Sequence, residues 1–184
     1  MKPVERSEIL DYVTYGERRE GIRTSALSAK SVRRIVVGDY FTFLFENRET
    51  VRYQVQEMMR VEKIVKEDDI LHELETYNEL LHPKGKLGCT LLVGIDDEAE
   101  RDVKLREWVG LNEHIYARLA DGTRIKPTWD PRQVGESRLS SVQYLAFELP
   151  EAPVALGVDM PGVENETALS DDQRKALQSD LTED

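Results

Sequence analysis

The sequence predicts an α+β fold: a single domain whose largely antiparallel sheet carries helices packed mainly on one side. Three observations point there. The predicted elements run α-α-β-β-α-α-β-α-β-β-β-β-α, without the regular β-α-β alternation of a doubly wound parallel sheet. Two turn signals, Gly38-Asp39 and Asp121-Gly122, stand between apolar runs and mark hairpins. The 184 residues are 40% hydrophobic and 33% charged, which is enough apolar material for one core and too little for a membrane protein.

Each element has its own signal. Ser7 is positioned to cap a short first helix whose apolar contacts are Ile9, Leu10 and Val13, and a second helix covers about 15–31 despite Gly16 and Gly21. Arg34 to Val37 and Tyr40 to Phe45 read as two strands around a two-residue turn. Over 48–65, Val51, Val55, Met58 and Val65 share one helical face, and Glu62 projects onto it. A helix over 68–82 has Ile70, Leu74, Tyr77 and Leu81 as its apolar face, and Pro83 and Gly85 end it. Residues 87–95 form a buried-type strand, and Asp96 or Asp97 starts a helix that Gly110 terminates. Strands follow at 114–119, 123–125, 142–149 and 154–158. Ser170-Asp171-Asp172-Gln173 is a capping box for a last helix to about 181. The chain thus reads as a helical segment at 1–33, a core at 34–160 and an acidic segment at 161–184.

Composition narrows the setting. No stretch approaches the roughly 18 apolar residues of a membrane span, and the first residues lack the apolar run of a secretory signal. The single cysteine, Cys89, cannot form an internal disulfide, so the expected compartment is the cytoplasm. It lies within an apolar strand and reads as a buried, inert thiol. Net charge is −11, which argues against nucleic-acid binding. Arg18, Arg19, Arg23, Lys30, Arg33 and Arg34 concentrate positive charge at 17–34, whereas 67–79 and 164–184 are acidic. The basic stretch is either a solvated helix face or a docking surface for an acidic partner. Self-association through the acidic segments of a second copy would use the same charges.

Chemistry-bearing motifs are scarce. The phosphate-loop, dinucleotide and serine-hydrolase glycine motifs are missing from the sequence. His72-Glu73 begins a zinc-protease motif, but Thr76 takes the second histidine position. Asp69/His72 and Glu79/His82 have di-iron spacing, yet they lie opposite the apolar face of their helix, where they cannot point into a bundle. No metal site and no cofactor are expected. The informative stretch is Phe45 to Met58, where Arg48, Arg52 and Gln56 form one row on a helix that starts beside Glu46 and Asn47. Two guanidinium forks at a helix start suit a carboxylate or phosphate, which makes Glu46, Arg48, Arg52, Gln54, Gln56 and Glu57 candidate ligand-binding residues. The competing reading is an internal network in which Glu46 and Glu49 neutralise the arginines. In it a buried Glu62 finds its partner in Arg48 or Arg52.

Phe45-Glu46-Asn47-Arg48, Thr50-Val51-Arg52, Gln54 and Gln56-Glu57-Met58 resemble the signature of a bacterial family catalogued as domain of unknown function 3501. Tyr77 to Leu80, Thr90 to Leu92, Leu105 to His114 and Ser141 to Leu145 extend the resemblance over most of the chain. The family pattern carries a histidine after the aspartate of a G-x-D-x-P segment, where Gly157-Val158-Asp159-Met160-Pro161 has Met160. The resemblance implies a redox or peroxide-stress setting, with rubrerythrin-like or iron–sulfur oxidoreductase proteins as associates. The expected function is therefore a non-catalytic accessory protein with a redox partner. The alternative is an anion-binding enzyme or sensor built on Glu46, Arg48, Arg52 and Gln56.

Overall fold

The computed structural model describes residues 1–131, 135 and 137–183; Asp184, the last residue of the acidic segment, lies outside them. Its longer elements are α1 (Tyr12–Ser31), β1 (Arg34–Val37), β2 (Phe41–Phe45), α2 (Arg48–Glu62), α3 (Glu67–Asn78), β3 (Lys86–Val93), α4 (Glu98–Glu107), β4 (Ile115–Arg118), β5 (Arg124–Ile125), β6 (Val142–Glu148), β7 (Ala155–Val158), β8 (Asn165–Ala168) and α5 (Asp171–Thr182). The fold class is α+β and every strand pair is antiparallel. The strands divide into two four-stranded sheets, β1-β2-β3-β6 and β5-β4-β7-β8.

Side-chain alternation explains the register. Ile35 and Val37 pair with Phe43 and Phe41, which places all of them on one face of the first sheet together with Phe45. That register leaves Gly38, Asp39 and Tyr40 in the turn, three residues rather than the expected two. A two-residue turn would pair Val37 with Tyr40 and turn the three phenylalanines outward. Gly38 takes the left-handed conformation the turn requires, with φ +60°. The buried face packs with Ile115, Ala117, Leu156 and Val158 of the second sheet, with Leu105 and Trp108 from α4 and its end, and with Leu177 and Leu181 of α5. Cys89 belongs to this core, and burial pushes its thiol well above the ordinary value.

The opposite face of the first sheet meets α2 and α3. Val51, Val55 and Met59 of α2 join Ile70 and Leu74 of α3, Val4 and Ile9 in a second, smaller core. The buried methionine is Met59, which continues the i, i+4 series of Val51 and Val55, whereas Met58 is only half-buried. Helix α2 stops at Glu62 because Lys63 turns left-handed (φ 55°). Glu62 is therefore exposed and needs no buried arginine partner, contrary to the sequence expectation. Val65 lies beyond the helix and is exposed as well.

The N-terminus differs more. Arg6–Glu8 form a single 3-10 turn, and one continuous 20-residue helix follows in place of two. Asp11 rather than Ser7 caps it, accepting hydrogen bonds from the backbone N–H groups of Val13 and Thr14 at 3.0 Å. Strand β8 was absent from the expected order. Its sequence, Asn-Glu-Thr-Ala, is polar and lies at a sheet edge, so it lacks the apolar alternation that announces a strand.

Candidate functional site

The six candidate residues do not converge; they radiate from α2 in three directions. Glu46 and Gln54 face the sheet and α3. Glu46 is buried and accepts hydrogen bonds from Thr50 Oγ1 (2.5 Å) and Thr90 Oγ1 (3.0 Å). Asn47 and Thr50 close the helix start reciprocally, Thr50 N–H donating to Asn47 Oδ1 and Asn47 N–H to Thr50 Oγ1. The Gln54 side chain hydrogen-bonds the Tyr77 hydroxyl on α3.

Arg48, Arg52 and Gln56 face the N-terminal strap. The Arg48 guanidinium donates to both carboxylate oxygens of Glu8 (2.7 and 2.8 Å), to the Lys2 carbonyl at 2.8 Å and to the Pro3 carbonyl. The buried Gln56 amide clamps Leu10, accepting from its N–H at 2.8 Å and donating to its carbonyl at 3.1 Å. Among the described residues Arg52 makes no hydrogen bond or ion pair, although its charge helps hold the Glu8 carboxyl below its ordinary range. It borders a shallow groove shared with Glu8, Asn47, Arg48, Glu49 and Glu183.

Glu57 faces α1. It accepts from Arg19 at 2.8 and 3.0 Å, from the Tyr15 hydroxyl at 2.6 Å and from Arg60 at 3.2 Å. The Arg19 hydrogen bonds, with those of Tyr15 and Arg60, hold its pKa down at about 2. Burial, with the hydrogen bond to the same carboxylate, pushes the Tyr15 hydroxyl up. Two of the cations in the basic stretch are thus already bound inside the chain: Arg19 to Glu57, and Arg33 to Asp180 of α5.

A different region has the shape of a binding site. A cleft of about 410 Å³ lies between the end of α3, strands β3 and β6, and residues 128–130. Tyr77, Trp129 and Tyr144 provide aromatic walls, Leu80 and Ala146 provide apolar floor, and His82 and Lys86 provide the polar end. Its construction is local. The backbones of Thr128 and Ala146 exchange two hydrogen bonds of 2.8 Å, which fixes Trp129 beside β6. The chain after α3 crosses β3 at Gly88, where a Cβ would stand 1.9 Å from the Leu80 carbonyl oxygen; only glycine permits that approach. The His82 carbonyl receives the N-terminal ammonium at 2.7 Å. Burial, with the positive charges of Lys86 and the N-terminus, lowers the pKa of His82, so its ring is a neutral hydrogen-bonding group beside a cation. Glu79 and His82 both lie past the end of α3 at Asn78, so the acidic-x-x-His spacing read from sequence is not helical there.

The matching family model is described as a protein of unknown function, DUF3501, and covers residues 3–181. The chain belongs to the DUF3501 family. A crystal structure of a novel protein of unknown function from Burkholderia pseudomallei K96243 superposes with a TM-score of 0.87 at 26% identity, over 99% of this chain and 100% of that one. No curated protein matches. Within the DUF3501 chain, the signature Phe45 to Met58 is thus the helix start and three-way junction that seat the N-terminal strap, α1 and α3. Asp159 of the G-x-D-x-P segment meets His114 Nδ1 at 3.0 Å on the second sheet.

Sequence reasoning missed the cleft. Its aromatic residues come from three segments far apart in the chain, and each has an ordinary local role. Tyr77 carries the helical apolar period, Tyr144 the strand alternation, and Trp129 lies in a segment without a periodic signal. The available signal was Gly88, a glycine inside a strand, which marks close backbone approach.

Proposed function

We propose that the protein is a non-catalytic accessory protein that binds a flat, ring-bearing metabolite in the cleft between α3, β3 and β6. The observation that carries this reading is the convergence of Tyr77, Trp129 and Tyr144 with a neutral His82 and Lys86 around about 410 Å³. Small-molecule sites fall in the range of roughly 300–1,000 Å³ and combine aromatic walls with few polar groups. The rings would sandwich the ligand body, and His82 and Lys86 would meet hydrogen-bond acceptors along one edge. The redox or peroxide-stress setting implied by the family resemblance makes a redox protein the partner on this reading, with the bacterial cytoplasm as its compartment.

The test uses the protein's own reporter. Of the two tryptophans, Trp108 is buried and Trp129 lines the cleft. Nicotinamide nucleotides, flavins and aromatic carboxylates, titrated against tryptophan fluorescence and thermal stability, should include at least one class that gives a saturable response. Tyr144→Ala and Lys86→Glu should abolish it. A panel that leaves both readouts flat removes the proposal.

Arg52 favours a second reading, an anion-binding enzyme or sensor, because its guanidinium is unbonded among the described residues and borders a groove. Glu8, Glu49 and Glu183 share that groove and oppose an anion there; Glu79 and Asp130 likewise line the cleft, but the cleft has aromatic and apolar walls that the groove lacks.

A further inference from the structure

The outer face of the first sheet carries an in-register apolar row that the described residues leave partly exposed. Val36 pairs with Thr42, Thr42 with Leu92, and Leu92 with Val142, so one row crosses all four strands. At the ordinary strand spacing it is roughly 15 Å long. Val36, Leu92 and Val142 are 52%, 38% and 36% exposed, and Tyr144, one row closer to the helices, is 44% exposed. Contiguous exposed apolar surface with a polar rim is characteristic of interaction sites.

Charge identifies the occupant. The neighbouring row runs Arg34, Leu44, Thr90, Tyr144, so Arg34 stands beside Val36 on the same face. Lys30, at the end of α1, lies over the Tyr53 ring at 5.2 Å from its centroid. Arg34 follows Lys30 by four residues in the chain; burial lowers the pKa of Lys30, with Glu46 opposing that shift and Arg34 adding to it. Among the described residues neither side chain forms a hydrogen bond or ion pair with a carboxylate. In a chain of net charge −11, a pair of cations left without a bonded acid beside an apolar row selects an apolar segment bearing carboxylates.

Strand addition does not account for the face. The outer edge of β1 is engaged by Thr167 Oγ1, which donates to the Val36 carbonyl at 2.7 Å, and by Gln173 Nε2, which donates to the Arg34 carbonyl at 2.8 Å. On the other side, Ala146 of β6 bridges Thr128. A partner therefore meets this sheet through side chains on its face rather than through its edges.

We infer that the row Val36–Thr42–Leu92–Val142, with Lys30 and Arg34 at its β1 end, is a docking surface for an acidic, apolar segment of a partner protein. The inference rests on the accessory-protein reading only for the existence of a partner, and it is independent of cleft occupancy.

Fluorescence anisotropy with two labelled probes tests it: a short peptide alternating leucine with glutamate, and its counterpart alternating leucine with lysine. The glutamate peptide should bind, weaken with added salt, and lose at least about tenfold in affinity with Leu92→Glu and with the Lys30→Glu/Arg34→Glu pair. The lysine peptide should bind far more weakly. Circular dichroism keeps the variants comparable, since all the altered positions except half-buried Lys30 are exposed. The ligand response of Trp129 should survive Leu92→Glu, which separates failure of this surface from failure of the cleft. Equal binding of both peptides, no binding of either, or unchanged affinity in Leu92→Glu would overturn the inference. So would a dimer in sedimentation that Leu92→Glu dissociates, since the occupant would then be a second copy.

Discussion

Arg33 and Asp180 form a buried bidentate ion pair across 147 residues of chain, with Nε to Oδ2 at 2.7 Å and Nη2 to Oδ1 at 2.9 Å. One partner closes the basic stretch after α1 and the other lies in the acidic C-terminal segment, so part of the segregated charge in the sequence is joined within one molecule. The remaining Arg33 donor, Nη1, reaches the Ala29 carbonyl at 2.9 Å. Removing the carboxylate leaves a buried guanidinium without its counter-charge. Asp180→Ala should cost about 3–5 kcal/mol, read from denaturant unfolding, whereas replacing both partners by apolar residues of similar volume should cost far less. Equal losses in both variants would show that the site is held by packing rather than by charge.

The arginine row gives an internal comparison. Arg48 bonds Glu8 and two backbone carbonyls of the strap, and Arg52, one turn on, bonds nothing among the described residues. Arg48→Ala should destabilise by about 1.5–3 kcal/mol, the range for lost hydrogen bonds to charged groups. Arg52→Ala should stay within about 0.5 kcal/mol, because this half-buried side chain has no bonded partner among the described residues to lose. Matched urea melts decide, and a reversed order would move the functional weight back to the row.

Acid stability should carry the mark of Glu57. Its folded pKa of about 2 lies below the unfolded value, so its contribution is complete above the ordinary carboxylate range and is lost as pH falls toward about 2. Glu57→Gln should lower stability at neutral pH and flatten its dependence between roughly pH 4.5 and 2. An acid limb of unchanged slope in the variant would contradict the Arg19–Glu57–Tyr15 junction.

Much of the fold was legible because periodicity reports burial. The alternation of Phe41, Phe43 and Phe45 and the helix start beside Glu46 and Asn47 needed no tertiary information. The turn at Gly38 needed one further step, since its length follows from which face the phenylalanines share. Strand β8 and the 3-10 turn at Arg6–Glu8 were not legible, because neither has an apolar period. The candidate site was partly legible. Its polar residues stood out, but a sequence row shows only which side chains share a helix face. It cannot show that Arg48 and Gln56 would meet the first ten residues of the chain, or that Glu57 would meet α1.

Gly88 ties the fold to the cleft. Gly88→Ala places a methyl group 1.9 Å from the Leu80 carbonyl oxygen, against backbone that cannot rotate away. The segment after α3 must lift from β3, taking Leu80 and His82 with it. The variant should lose about 1–3 kcal/mol in thermal or urea unfolding and its ligand response should weaken in parallel. Full stability would mean that the α3 end is free to shift, and the cleft would lose its fixed wall.

Ligands are expected to enter the aromatic cleft rather than the groove at the arginine row. The most direct measurement is a crystallographic soak of the ring-bearing compounds that respond in the fluorescence titration. Density between Tyr77, Trp129 and Tyr144, with acceptors toward His82 and Lys86, is the predicted result. Density confined to the groove at Arg48 and Arg52, with the cleft empty, would contradict it.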